Sequence, residues 1–278
     1  MKGGNGVERA LKGAPDSIPE CSMTVVNDKK IKSLSTAISA CLDNAERLLY
    51  DAQLLGVDID SEESAPTAFA LCVLAQEEYA KAFILYLVDY GCIPWTADVR
   101  KMLTNHSCKH LVALVLDFLN PEDDIYIKYV EDFLKGVRDD KEPFLPHYVV
   151  DAINIIRHEK VEKWSTRNDW IDPGDRPCDP VARKIGDGVL DKSKQDALYV
   201  RIGKTGRVIS TPSKIDSHEA KSEYEKAKRF ARVIRIPDGK VTEPVGLEFE
   251  KVSATFKVIF GLMSFEVFRN HWWLRNRM

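Results

Sequence analysis

The sequence predicts an all-α fold, an antiparallel helical bundle with one small β-hairpin inserted in it. Apolar residues recur at three- and four-residue steps along most of the chain, and glycines and prolines fall between those stretches. The segment around 198–210, in contrast, alternates with the two-residue period of a strand pair.

Taken in order, residues 1–28 are rich in Gly, Pro and Ser and read as a mobile N-terminal tail, which leaves 29–278 as one helical domain. Ile31, Leu34, Ile38, Leu42, Ala45, Leu48, Leu49, Ala52 and Leu55 line one face of a first helix that ends near Gly56. The second helix starts between Ser61 and Pro66 and runs to about Asp89, where Gly91 and Pro94 stop it. It is apolar almost all round, as a central helix should be. Further helices are expected at about 97–103, 107–119, 124–138 and 146–162. Residues 163–193 break the periodicity with Pro173, Gly174, Pro177, Pro180, Gly186 and Gly188 and read as a long loop. The hairpin 198–210 turns at Gly203-Lys204-Thr205-Gly206. Asp216 with Glu219 opens a basic helix to about Arg235, and a last helix spans about 246–274.

Composition sets the class. At 44% hydrophobic and 30% charged residues, the 278-residue chain has the balance of a soluble globular protein. No apolar run reaches about 18 residues without charges, and the N-terminus lacks the apolar core of a signal peptide. The six cysteines form no C-x-x-C pair and several sit in apolar helical patterns, which suits buried thiols in a reducing cytoplasm. A net charge of −3 advertises no nucleic-acid field. The charge is uneven, however: Asp117–Glu142 carries nine acidic and four basic side chains, Lys192–Arg235 twelve basic and five acidic.

Three clusters carry chemistry. In ALCVLAQEEYAKAFIL, Glu77, Glu78 and Lys81 interrupt an apolar helix. Lys81 lies four residues after Glu77 and three after Glu78, so either carboxylate can meet it, as a surface ion pair or as the lining of a pocket. In NHSCKHLVALVLDFL, His106, Lys109 and His110 gather at a helix start, where two imidazoles and an ammonium can hold phosphate or move protons, or simply form a solvated first turn. Arg269, His271 and Trp272 close the last helix, where basic and aromatic groups could contact RNA or dock on the core. Gly203-Lys204-Thr205 lacks the upstream glycine of a P-loop, and His158-Glu159 lacks the second histidine of a zinc protease, so neither a metal nor a cofactor is expected.

The segments CLDNAERLLYDAQLL, ALCVLAQEEYAKAFIL, NHSCKHLVAL and ALYVRIGKTGRVISTPSKIDSHEAKSEYEKAKR, in that order over about residues 37–235, resemble successive blocks of the AbiV-type HEPN family. The resemblance implies a HEPN-like bundle, often dimeric, in a superfamily rich in ribonucleases and toxin partners, whose AbiV members abort phage infection. It places Glu77, Glu78, Lys81, His106, Lys109 and Tyr199 at motif positions. Arg100 and His106, with five residues between them, match the arginine-to-histidine spacing of HEPN ribonucleases. In such enzymes histidine moves the proton at the 2′-hydroxyl or the leaving oxygen and arginine stabilises the charged phosphorus centre, without a metal. On an unbroken helix the two would lie about 120° apart, so they converge only where Thr104, Asn105 or Ser107 breaks it.

The expectation is therefore a cytoplasmic phage-defence protein with Arg100 and His106 as catalytic pair, acting as a metal-independent ribonuclease or translation inhibitor. Its expected partners are a second copy, a phage-encoded activator protein and RNA, with no membrane. Two alternatives stay open. One is a non-catalytic module that buries a homodimer or partner surface. The other is a nucleotide-binding regulator in which Lys109 and the basic 192–235 region hold phosphates.

Overall fold

The computed structural model describes residues 28–57, 61–119, 146–161 and 177–234, together with Val252, Phe256 and Lys257. The expected helix at 124–138, the N-terminal tail, and Arg269, His271 and Trp272 lie outside the described residues, as does most of the expected last helix. Val252 and Phe256 from that stretch are buried.

The helices are α1 (Asp28–Leu54), α2 (Ala65–Asp89), α3 (Ala97–Thr104), α4 (His106–Phe118), α5 (His147–Asn154), α6 (Pro180–Gly186), α7 (Val189–Leu198) and α8 (Ser217–Ile234). The strands are β1 (Arg201–Ile202) and β2 (Val208–Ser210). The fold is all-α with one small antiparallel hairpin, as the sequence predicts.

α2 is the axis. Its apolar side chains leave almost no polar face, so it is stable only when covered on every side. α1, α3, α4, α7 and α8 all pack against it. Pro66 sits in its first turn, where no intrahelical N–H is lost. Ion pairs and hydrogen bonds at the margins tie neighbouring helices: Arg229 of α8 binds Asp117 of α4 at 2.9 Å, and the Gln76 amide of α2 donates to Glu223 of α8 at 2.6 Å.

Two short elements set the site's position. Asn105 leaves helical geometry (φ −87°, ψ 119°) and divides α3 from α4, and its Oδ1 accepts the Cys108 N–H at 3.0 Å as N-cap of α4. The break required for Arg100 and His106 to leave a common helix is thus present.

The expected loop 163–193 is corrected where it is described, since α6 and the start of α7 occupy 180–193. Proline and glycine there are helix punctuation, with Pro180 at the first position of α6 and Asp179 Oδ1 accepting the Val181 and Ala182 N–H groups. Gly188, at φ +78°, makes the left-handed turn that swings α7 back over α2 and α4. A Cβ there would be strained, and its nearest neighbour would be the Ser107 hydroxyl of α4 at 3.7 Å.

The expected 146–162 helix divides into α5 and a π-helical extension, Ile155–Val161. Arg183 of α6 clasps Glu159 of that extension through two hydrogen bonds of 2.6 and 2.9 Å. The hairpin strands are shorter than 198–210, because Leu198 still belongs to α7 and a bulge interrupts the register between Arg201 and Ile202. The turn after the hairpin, Pro212–Lys214, packs on α7 and α2. Among the described residues, no helix is long and apolar enough to cross a membrane.

Candidate functional site

Glu77 is the centre of the site. It projects from the middle of α2 and is 2% exposed, yet its carboxylate is surrounded by charged and polar groups from two other helices. From α4, Lys109 donates to Oε2 at 2.5 Å and His106 Nδ1 lies 2.8 Å from the same oxygen. From α7, Lys194 donates to Oε1 at 2.5 Å. Lys194 also reaches Asp191 Oδ1 at 2.9 Å, one turn back along α7. His110 completes the inner wall, with Nε2 3.4 Å from Glu77 Oε1.

Burying a carboxylate raises its proton affinity unless positive charge answers it. Burial does act on Glu77 in that direction, but the hydrogen bonds from Lys109 and Lys194, with the fields of His110 and Lys109, bring its pKa down to about 2. Burial likewise opposes the charge of Lys194, whose bonds to Glu77 and Asp191 nevertheless raise its pKa above the ordinary lysine value. His110 goes the other way. Its burial outweighs the pull of Glu77 and, with the lysine charges adding, lowers its pKa to about 4, so it is neutral near pH 7.

The His106 tautomer follows from geometry. Nδ1 is 2.8 Å from a carboxylate oxygen and 3.2 Å from the Lys194 nitrogen, and it cannot donate to one while accepting from the other. The shorter contact is to the Glu77 carboxylate, which is ionised near neutral pH and can only accept. Nδ1 therefore carries the hydrogen and donates to Glu77. Nε2 is left as the basic nitrogen of a side chain that is 49% exposed.

The structure brings together Glu77, His106, Lys109 and His110 from among the residues singled out by sequence. Glu78 and Lys81 stand apart. They pair with each other at 2.5 Å on another face of α2, and burial together with the Glu78 charge there raises the pKa of the Cys41 thiol of α1. Lys81 thus answers Glu78, while Glu77 answers to α4 and α7. Arg100 is exposed on α3, and among the described residues its side chain makes no hydrogen bond or ion pair. Tyr199 is 64% exposed at the root of the hairpin.

Asp191 and Lys194 escaped the sequence reading. The signal for them is faint: an acidic residue and a lysine three apart, just after a glycine, in a stretch whose prolines suggested loop.

Neither the curated proteins nor the solved structures yield a significant match. The model of the AbiV family, a HEPN family, matches residues 33–232, well over half of the chain and from α1 through almost all of α8. The span contains every residue of the Glu77 cluster, and the chain belongs to the AbiV family of HEPN-type abortive-infection proteins.

Proposed function

We propose that this chain is a phage-defence effector that cleaves RNA without a metal, with His106 as the group that moves the proton. The observation that carries this reading is the His106–Glu77 contact: a buried carboxylate fixes Nδ1, while the opposite nitrogen is offered on a half-exposed ring. That is the geometry of an oriented general base.

His106 Nε2 takes the 2′-hydroxyl proton of a bound RNA strand, and the 2′ oxygen attacks the adjacent phosphorus. The bond to the 5′ oxygen breaks and that oxygen takes up a proton, leaving a 2′,3′-cyclic phosphate and a free 5′-hydroxyl. Glu77 stabilises the imidazolium as it forms, and Lys194 and Lys109 offset the carboxylate's charge. Arg100, exposed on the preceding helix, supplies charge to the phosphate from outside the cluster. A second copy is its expected dimer partner, and a phage-encoded protein would raise a basal activity that the chain already has.

The test is incubation of purified protein with cellular RNA in excess EDTA. Cleavage is expected, with His106→Ala abolishing it and Arg100→Ala weakening it. Cleavage that persists undiminished in His106→Ala would overturn the assignment.

A second reading, a non-catalytic partner-binding module, is favoured by the hairpin. Tyr199, Val200, Ile202, Val208 and Ile209 are all more than half exposed there. On that reading no activating condition produces cleavage, and Ile202→Glu blocks capture of a partner while His106→Ala does not.

A further inference from the structure

We propose that Glu77, His106 and Asp191, with His110 behind them, form a binding site for a divalent transition metal ion such as Zn2+, in which the Lys194 ammonium is the resident cation that the metal displaces. Three helices each place one ligand-type atom beside the Lys194 nitrogen: Glu77 Oε1 of α2 at 2.5 Å, Asp191 Oδ1 of α7 at 2.9 Å and His106 Nδ1 of α4 at 3.2 Å, the last ligating once the ring's hydrogen moves to Nε2. Ligand atoms of Glu77, His106 and Asp191 lie within 4.8 Å of one another, so small side-chain shifts bring them to about 2.0–2.2 Å from a single ion.

His110 is an independent sign of a missing ligand. Its side chain is fully buried, neither ring nitrogen has a hydrogen-bond partner, and Nε2 faces Glu77 Oε1 at 3.4 Å. A buried, neutral, unbonded imidazole lowers stability unless something takes its lone pair. An ion held on Glu77 Oε1 would lie beside this ring and give it a partner that the lysine does not.

The donor chemistry chooses the ion. Imidazoles with carboxylates suit Zn2+, whereas Mg2+ and Ca2+ require a shell of oxygens. Lys109 remains on Glu77 Oε2 and leaves Oε1 to the ion. The long, flexible Lys194 stem lets its ammonium withdraw toward solvent beside the half-exposed His106. Since the metal takes His106 Nδ1, it turns off the proton transfer proposed above; that consequence rests on the RNA-cleavage reading, and the site does not.

Titration calorimetry on the metal-free full chain, with visible absorption of Co2+ as a spectroscopic stand-in, tests the site. One Zn2+ per chain is expected for the wild type, with binding at least roughly tenfold tighter in Lys194→Met and at least roughly tenfold weaker in His106→Ala or Asp191→Asn. Mg2+ should give no heat. The proposal is overturned if the wild type takes up no zinc at this stoichiometry, or if His106→Ala, shown folded by circular dichroism, binds zinc as the wild type does. An RNA-cleavage assay with added zinc separates the two readings: zinc bound without inhibition overturns the role of His106 in cleavage and leaves the metal site standing.

Discussion

Glu77 and Glu78 are neighbours on one helix, about 100° apart around its axis, and they have different fates. Glu78 meets Lys81 at the margin between α1 and α2, where both side chains keep some contact with solvent. Glu77 turns inward to two lysines and two histidines from α4 and α7. One residue of register thus separates a helix-surface ion pair from a buried hub. What a charged residue does depends on the element packed against it as well as on its own helix, and a carboxylate with buried cations on two sides is one on which the fold depends.

The largest expected difference is in stability. Glu77→Gln leaves Lys109 and Lys194 short of charge compensation in a buried setting, and denaturant unfolding should show a loss of about 3 kcal/mol or more. Glu78→Gln should cost less than about 1 kcal/mol in the same assay, as exposed or margin pairs do. Equal losses at the two positions would erase the distinction.

Acid should act on the hub next. The His110 pKa is depressed to about 4, so the unfolded chain binds a proton there that the folded one refuses, and stability falls as pH drops from about 6.5 toward 4. The Glu77 pKa is depressed to about 2, so its contribution, full above about 4.5, is lost as pH falls toward 2. Melting temperature should therefore decline in two successive windows, and His110→Phe should flatten the first while leaving the second.

Coupling is a finer measure. A double-mutant cycle between Glu77 and Lys194 should give an interaction of about 2 kcal/mol, and one between Glu78 and Lys81 no more than about 0.5 kcal/mol. The smallest effect should be at the hairpin, where Ile202→Glu on an exposed side chain changes stability by less than about 0.5 kcal/mol.

Much of this was legible in the sequence, for a physical reason. α2 announces its central place by being apolar all round, and a carboxylate within such a helix has to be answered by partners. His106, Lys109 and His110 fall within one turn and a half of each other at a helix start, so helical geometry alone brings them together. Local pattern could not say which carboxylate Lys81 would take, since three- and four-residue spacings are equally good on a helix. Nor could it place Asp191 and Lys194. Their link to Glu77 spans more than a hundred residues and depends on Gly188 turning α7 back over α4, a tertiary event that leaves only prolines and glycines as its trace.

The proposed proton transfer requires Glu77 to hold His106 by Nδ1 and leave Nε2 as the base of a half-exposed ring. Side-chain nitrogen chemical shifts of His106, measured by NMR on the neutral ring, read that tautomer directly. A protonated Nδ1 and an unprotonated Nε2 are predicted in the wild type, with the preference lost in Glu77→Gln. A wild-type ring carrying its hydrogen on Nε2 would contradict the account.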